Sequence, residues 1–534
     1  MRRRHRLLDD QQGPGLPPAV APRRGTASGR ARRACRFLAA ATKARYRSGV
    51  THTTHDLPPT ASLRLRSRRV LLRHAGGRLG VTPAAIDVAG SFISAVHLGA
   101  DPGDDGVPET DLGDRLVTPA FIDGHTHLNL SALRGLSVPE AADNNLVEDF
   151  FFRVEGAMTP EDVRAFVRMG AYEALLHGTA LVWDHYYHPE AVLAGLRDVG
   201  LPAVLAPTLQ DVAGPGVAQL ETGLAATEAI ASDPALAAEG LFAALGPHAT
   251  DTVSPALFRR VADAAERLAL PVHCHVAQSL DELERVKAKT AGGSPVQLLR
   301  DAGVLDAAPT SLLVHNIFLT REDVASLPSD RVVMAFCPHS KQIFAYLPDI
   351  RAWHEADLRW LVATDCAASN DGLNVQRELR AAAGMRVLPV TWSEAHQRFL
   401  RSGAVVDARA AWAQRQQARS RTQFLAEAHD LLSHVWEVPG AMHPAFTAGV
   451  IAPGALANLA IWDLDHPTFW PAREPARALA MSDTTGALWA VMAAGRWAGE
   501  PGRYAASIIE SDAYRAAHRE ASERLDHLER RAAI

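Results

Sequence analysis

Between about residues 117 and 364 the apolar positions fall into short uninterrupted runs, and between the runs they return every three or four residues. A run of four to six apolar residues suits a strand buried on both faces, and the longer period suits an amphipathic helix. Strands are expected near Val117–Ile122, Ala180–Trp183, Ala203–Ala206, Leu241–Leu245, Pro271–His275, Ser311–His315, Val332–Phe336 and Trp360–Thr364. The intervening helices carry start signals. Thr159-Pro160-Glu161-Asp162 offers a capping threonine with proline at the first helical position, and Gly178 follows as a stop. A second helix begins at Ser254-Pro255 and places Leu257, Val261, Ala264 and Leu268 on one face. Strand and helix alternating eight times predict an α/β fold with a parallel sheet closed into a barrel.

The flanks read differently. From about Ala61 to Leu116, short strand-like pieces such as Arg69–Leu72 and Phe92–Val96 alternate with Gly and Asp turns, as expected for half of a small β domain. An Arg/Gln/Ala-rich helical stretch, roughly Val405–Val435, follows the last barrel strand. The strands Leu459–Trp462 and Ala487–Ala493 are then placed to complete that β domain. The expected division is 61–116 and 436–500 for the β domain, 117–435 for the barrel and 501–534 for a terminal helical segment. Residues 1–60 set arginines among Pro, Gly and Ser with no sustained apolar period, and are expected to form a disordered basic tail.

Composition narrows the class. A chain of 534 residues exceeds what one core usually organises, in keeping with a barrel plus a companion. The net charge of -5 favours no polyanionic partner, so no nucleic-acid role is expected. No apolar run approaches the roughly 20 residues of a membrane span. Cys35, Cys274, Cys337 and Cys366 show no paired spacing and are expected as reduced thiols in the cytoplasm.

Polar residues gather at the C-terminal ends of the predicted strands, where a barrel builds its active site. The first strand ends in His125-Thr126-His127, the fifth in His273-Cys274-His275, the sixth in His315 and the eighth in Asp365. Residues two apart on an extended segment face the same way, so both members of His-x-His can reach one ion. His125, His127, His275 and Asp365 form a nitrogen and oxygen set suited to Zn²⁺ or Fe²⁺. His315 either hydrogen-bonds the attacking water or adds a ligand, and Asp365 takes the water's proton. Cys274 is expected to point away from the two histidines beside it.

The segment from Val117 to His127 resembles the first-strand signature of the amidohydrolase superfamily, His275-Val276-Ala277-Gln278-Ser279 its fifth-strand motif, and Thr364 to Asn370 its eighth-strand motif. The likeness is strongest to the branch of methylthioadenosine/S-adenosylhomocysteine deaminases, guanine deaminases and triazine hydrolases. It implies a distorted TIM (β/α)8 barrel with a small β-sandwich domain, one divalent metal ion per chain with Zn²⁺ ahead of Fe²⁺, and a homo-oligomer acting on a small nitrogenous substrate. The mononuclear site agrees with the lysines, Lys43, Lys287, Lys289 and Lys341, none of which lies between the first and fifth strands to bridge two ions. By the same resemblance His248, in Gly246-Pro247-His248-Ala249, and Glu155 are substrate-binding positions. Asp184, His185 and His188 crowd the second strand's end without an assigned role.

Three positions depart from the family pattern. Gln278 stands where the family has a glutamate that shuttles a proton to the leaving nitrogen, Lys341 stands in place of Asn, and Asn458 in place of Asp. An amide exchanges no protons near neutrality, and general acid catalysis is worth about 10² to 10⁴ in rate. The expected reaction is a metal-activated water attacking a carbon-nitrogen bond, not a peptide, of a cyclic amidine or N-heterocycle, in the manner of a deaminase. The alternatives are a dehalogenating or dealkylaminating hydrolase of the triazine-hydrolase type, whose leaving group tolerates Gln278, and a catalytically impaired amidohydrolase-fold binding protein.

Overall fold

The structure is a computed structural model that describes residues 62–533, apart from 75–76, 100–102, 104, 137–145, 344–346 and 387–392. The expected basic tail and Cys35 lie outside the described residues.

Two chain segments far apart in sequence share one mixed sheet. Its order is Arg496–Trp497, Leu488–Ala493, Leu459–Trp462, Leu116–Pro119, Leu63–Arg73, Leu79–Ala89, Phe92–Leu98, with Glu109–Asp111 also paired to Leu63–Arg73. Leu116–Pro119 joins the halves, running parallel to Leu63–Arg73 and antiparallel to Leu459–Trp462. Asn458 braces this junction: its backbone oxygen accepts from Ala120 N at 3.0 Å and its Oδ1 from Ala494 N at 2.7 Å.

The parallel strands form two further sheets. One contains Phe121–Thr126, Thr179–Tyr186 and Ala203–Leu209, with Leu241–Ala243 and Gly246–Pro247 both paired to Ala203–Leu209. The other runs Val272–Val276, Ser311–His315, Val332–Phe336, Arg359–Val362. Parallel bridges Leu245↔Val272 and Ala249↔His275 connect one pair of edges, and Thr126↔Asp365 connects the other. The run expected as a single strand at 117–122 is two strands in two sheets. Ala120 N bonds Asn458 and Phe121 N bonds Gly178 O at 2.9 Å, so the chain changes partners there. Apolarity marks both pieces equally and cannot show the change.

Side-chain alternation sorts these strands into two cores. Ile122, Leu181, Trp183, Val204, Ala206, Phe242, Ala244, Leu312, Val314, Val333, Ala335, Leu361 and Ala363 gather in one apolar cluster. Their sequence neighbours, among them Phe121, Val182, Leu205, Cys274, Leu313 and Met334, join a larger cluster with the helices. Cys274 thus points away from His273 and His275, as alternation predicts.

The helices begin where their caps place them. Thr159 and Asp162 make a reciprocal capping box at the start of Pro160–Leu176, and Ser254 accepts from Leu257 N at the start of Pro255–Leu268. The expected helical stretch 405–435 is broken into Val405–Arg421, a short 3₁₀ turn at Gln423–Leu425 and Ala428–Ser433. Among the described residues no helix is long and apolar enough to cross a membrane.

Helix Pro160–Leu176 lies against the turn Leu128–Leu133 that directly follows His127, and Gly170 sits at the closest approach, where a Cβ would collide with the Leu128 carbonyl. Alanine gains up to about 1 kcal/mol over glycine in helix propensity, but overpacking costs about 1–3 kcal/mol. Gly170→Ala is therefore expected to lower the thermal unfolding midpoint. An unchanged or raised midpoint would show that the contact yields freely.

Candidate functional site

The polar strand ends meet over the inner apolar cluster. His125 stands 4.8 Å, ring to ring, from His127, 5.0 Å from His275 and 5.7 Å from His315, and His275 stacks on His315 at 5.3 Å. Asp365 faces them with both oxygens. Its Oδ1 lies 3.4 Å from His125 Nε2 and 3.5 Å from His127 Nε2, while its Oδ2 lies 3.9 Å from His315 Nε2 and accepts from Ser340 Oγ at 2.6 Å. All five side chains are nearly or fully buried.

Local backbone geometry aims these groups. His315 and Asp365 both hold left-handed φ, 76° and 67°, a conformation that costs a non-glycine residue on the order of 1 kcal/mol and persists only where the surroundings enforce it. For Asp365 the enforcing contacts are visible: its N–H donates to His125 O at 3.0 Å, and its carbonyl accepts from His127 N at 2.8 Å. Asp123 locks the same seam, accepting from Thr364 N at 3.0 Å and from Thr364 Oγ1. Burial raises the Asp123 carboxyl to about 7.

Each histidine that faces the common point is tied from behind. His127 Nδ1 donates to His185 O at 2.5 Å, and His275 Nδ1 donates to His248 O at 2.8 Å. These bonds leave the Nε2 lone pairs free to face inward, the tautomer a metal ligand requires. His125 Nδ1 lies 2.7 Å from His273 Nε2, and His125 Nε2 is buried without a hydrogen bond. An orphaned buried nitrogen is costly unless an unshown partner takes it, so the donor set fits a divalent cation. His125, His275 and His315 have ligand atoms within 4.8 Å of one another, as do His125, Cys337 and Asp365. Burial pushes the Cys337 thiol well up, and a thiol that keeps its proton is a poor ligand. Burial holds the His127 imidazole down at about 4 and those of His275 and His315 well below the usual range. Burial acts to raise the Asp365 carboxyl, but the contact with His125 and the charge of Lys341 outweigh it and hold it well below the usual carboxylate range.

The remaining expected residues are placed less uniformly. His248 is buried 5.1 Å from the His275 ring and 5.5 Å from Phe152, with Nδ1 2.8 Å from Thr252 Oγ1; burial takes it down to about 3. Gln278 is half-buried, and its N–H donates to Glu282 Oε2 at 2.7 Å. Glu155 is buried beside Tyr186, a member of the large outer core, and burial raises it to about 8. Alternation along Thr179–Tyr186 turns His185 toward the histidines and Tyr186 away.

Sequence reasoning named His185 and His273 without giving them a role and gave none to Ser340. The spacing held a signal for His273, since it shares a strand face with His275 one layer deeper. Ser340 carried none, because its contact with Asp365 depends on the turn after Val332–Phe336.

Two outcomes follow. His273→Phe is expected to weaken zinc binding by about 10- to 100-fold in a chelator competition; unchanged affinity would leave the His125–His273 bond without a positioning role. Glu155 has a raised native pKa, so unfolding at neutral pH releases its proton, and its stability contribution is full below about pH 4.5 and lost as pH rises through about 8. Glu155→Gln should therefore raise the unfolding midpoint more at high than at low pH, and a gain independent of pH would contradict the buried neutral acid.

Comparison with known proteins places the chain. The sequence profile described as the amidohydrolase family matches residues 116–397, more than half of the chain. The 5-methylthioadenosine/S-adenosylhomocysteine deaminase of Natronomonas pharaonis is 28% identical over 380 residues, 69% of this chain and 79% of that protein. Among solved structures, an adenosine deaminase from Xanthomonas campestris with bound zinc superposes with a TM-score of 0.68 at 21% identity, covering 88% of this chain and all of the other. An atrazine chlorohydrolase from Arthrobacter aurescens complexed with zinc gives 0.66 at 20% identity, covering 86% and 99%. The structural likenesses carry the fold, which is TIM-barrel-like α/β. The chain belongs to the amidohydrolase family, metal-dependent enzymes, and is a hydrolase of carbon-nitrogen bonds other than peptide bonds.

Proposed function

We propose that this chain hydrolyses a carbon-nitrogen bond of a cyclic amidine or N-heterocycle, deaminase-like, as a cytoplasmic homo-oligomer holding one zinc ion per chain at His125, His127, His275 and Asp365. The observation that carries the reading is the turning of His125, His127 and Asp365 toward one point from the ends of two strands, with His127 and His275 tied at Nδ1 from behind. The parallel bridges at both pairs of edges support a closed eight-stranded barrel over 117–435. The shared mixed sheet supports a β domain built from 61–116 and 436–500, a sandwich by family analogy, with 501–534 as a helical appendage.

A divalent ion held there supplies Lewis acidity, which makes water a nucleophile near neutral pH. The residues do the rest. Asp365, ionised and in reach of both His125 and His315, takes the proton of the attacking water. His315, neutral and buried, hydrogen-bonds that water and orients it. His248, beside His275 and Phe152, is the substrate-binding position closest to this group, and Glu155 is the second, reached through its own short helix Phe152–Glu155.

Gln278 decides the leaving group. Its amide donates and accepts hydrogen bonds but moves no proton, which favours a second reading in which halide or another stabilised anion departs, as in a dehalogenating or dealkylaminating hydrolase.

A screen for released ammonia, amine and halide across aminated, alkylaminated and chlorinated purines, pyrimidines and triazines tests the proposal. Turnover should vanish on chelation and return with zinc, and Asp365→Asn should lower kcat/KM by about 10² to 10⁴. Gln278→Glu should raise ammonia release and leave halide release unchanged. A folded, metal-free protein that releases none of the three would reduce the chain to a binding module.

A further inference from the structure

The backbone of Asp365 is fixed by its bonds to His125 and His127, but those bonds leave its carboxylate free to turn. The last torsion of an aspartate joins an sp³ to an sp² carbon and is broad and roughly two-fold. A further contact has to decide which oxygen faces the histidines. His315 Nε2 and Lys341 Nζ stand 3.9 Å from Oδ2, outside hydrogen-bond reach. Ser340 Oγ stands at 2.6 Å and donates. With Oδ2 held there, Oδ1 is the oxygen left at 3.4 Å and 3.5 Å from the Nε2 atoms of His125 and His127.

Ser340 is held in its turn. Ser369 Oγ donates to Ser340 Oγ at 2.9 Å, and Cys366 Sγ lies 3.2 Å from Ser369 Oγ. All three side chains are buried. Ser340 belongs to the short helix Pro338–Ile343 that follows the strand Val332–Phe336, and Ser369 to the turn of helix Ala367–Asn370 that follows Asp365. The line of contacts therefore ties two neighbouring strand ends to one carboxylate oxygen.

Proton counting sets its direction. A carboxylate oxygen accepts, so the single Ser340 hydroxyl proton points at Oδ2 and the Ser340 lone pairs are left for Ser369. Ser369 also has one proton. Its other acceptor, the Cys366 carbonyl, is 3.4 Å away, beyond the usual O–H···O range, so the proton goes to Ser340. The Cys366 thiol is then the donor to Ser369. Buried chains of this kind polarise each successive donor, and removing an outer member weakens the hold of the inner one.

We propose that Ser369 is a positioning residue which, acting through Ser340, pins Asp365 Oδ2 and so presents Oδ1 to the point shared by His125 and His127. The inference rests on the metal site proposed above and says what keeps its carboxylate in one orientation. With alanine at 369, Ser340 Oγ loses its buried donor and is free to turn away from Oδ2.

The test needs no substrate. Zinc affinity is measured by chelator competition, and the visible absorption band of the cobalt(II)-loaded protein reports the donor atoms around the ion, in wild type, Ser369→Ala, Ser340→Ala and the double variant. Ser340→Ala should weaken zinc binding by about 10- to 100-fold, Ser369→Ala by about the lower end of that range, and both should shift the cobalt band. The double variant should lose no more than Ser340→Ala alone, because Ser369 reaches Asp365 through Ser340. Losses that multiply in the double variant overturn the proposal. So does a Ser369→Ala protein with wild-type affinity and band, even with a lowered unfolding midpoint, since the serine then serves packing alone. Should Ser340→Ala not fold, the affinity and band of Ser369→Ala decide by themselves. Zinc-dependent turnover in a protein whose zinc affinity and cobalt band are indifferent to both serines would remove this inference and keep the hydrolytic one. The expected losses in a protein that releases no ammonia, amine or halide would do the reverse, and a wild-type protein that binds neither ion would remove both.

Discussion

A neutral imidazole has one donor and one acceptor, and burial forces both to be accounted for. At the ends of the parallel strands that constraint shapes the histidine cluster. His127 and His275 give their Nδ1 protons to the carbonyls of His185 and His248, His125 leans on His273, and their Nε2 atoms are left facing inward. Without the ties from behind, each ring could turn over and the inward lone pairs would be lost. The carbonyls that accept these bonds come from neighbouring strand ends, so the arrangement is as much a property of strand register as of the histidines themselves.

The surrounding fold serves that register. Asp365 exchanges backbone hydrogen bonds with His125 and His127, and Asp123 pins Thr364, so the first and last strands of the parallel set are joined at the residues that carry chemistry. Below the histidines lies the inner apolar cluster, with Trp183, Leu312 and Leu361 fully buried. Gly170 lets a helix close over the turn after His127. His315 and Asp365 hold strained left-handed backbone where their side chains turn toward the histidine cluster.

Much of this was legible because the chemistry sits on regular spacing. His125 and His127, two apart on a strand, and His275 at the end of another could be read as inward-facing before any coordinates, and so could the outward turn of Cys274. The strand-helix alternation gave the fold class for the same reason. Where spacing is degenerate the reading failed. The apolar run 117–122 looks the same whether it is one strand or two in different sheets. Lys341 was visible as a departure, but its contact with Asp365 depends on a turn that no periodicity encodes. Substrate identity lies further out still, in loop side chains placed by tertiary packing.

The central claim is that residues 125, 127, 275 and 365 share one cation. Anomalous diffraction at the zinc edge from crystals of the zinc-loaded protein tests it directly. The account predicts one strong peak per chain, about 2.0 to 2.2 Å from the Nε2 atoms of His125, His127 and His275 and from an oxygen of Asp365. A peak held elsewhere, or none at this position in a fully folded protein, would contradict it.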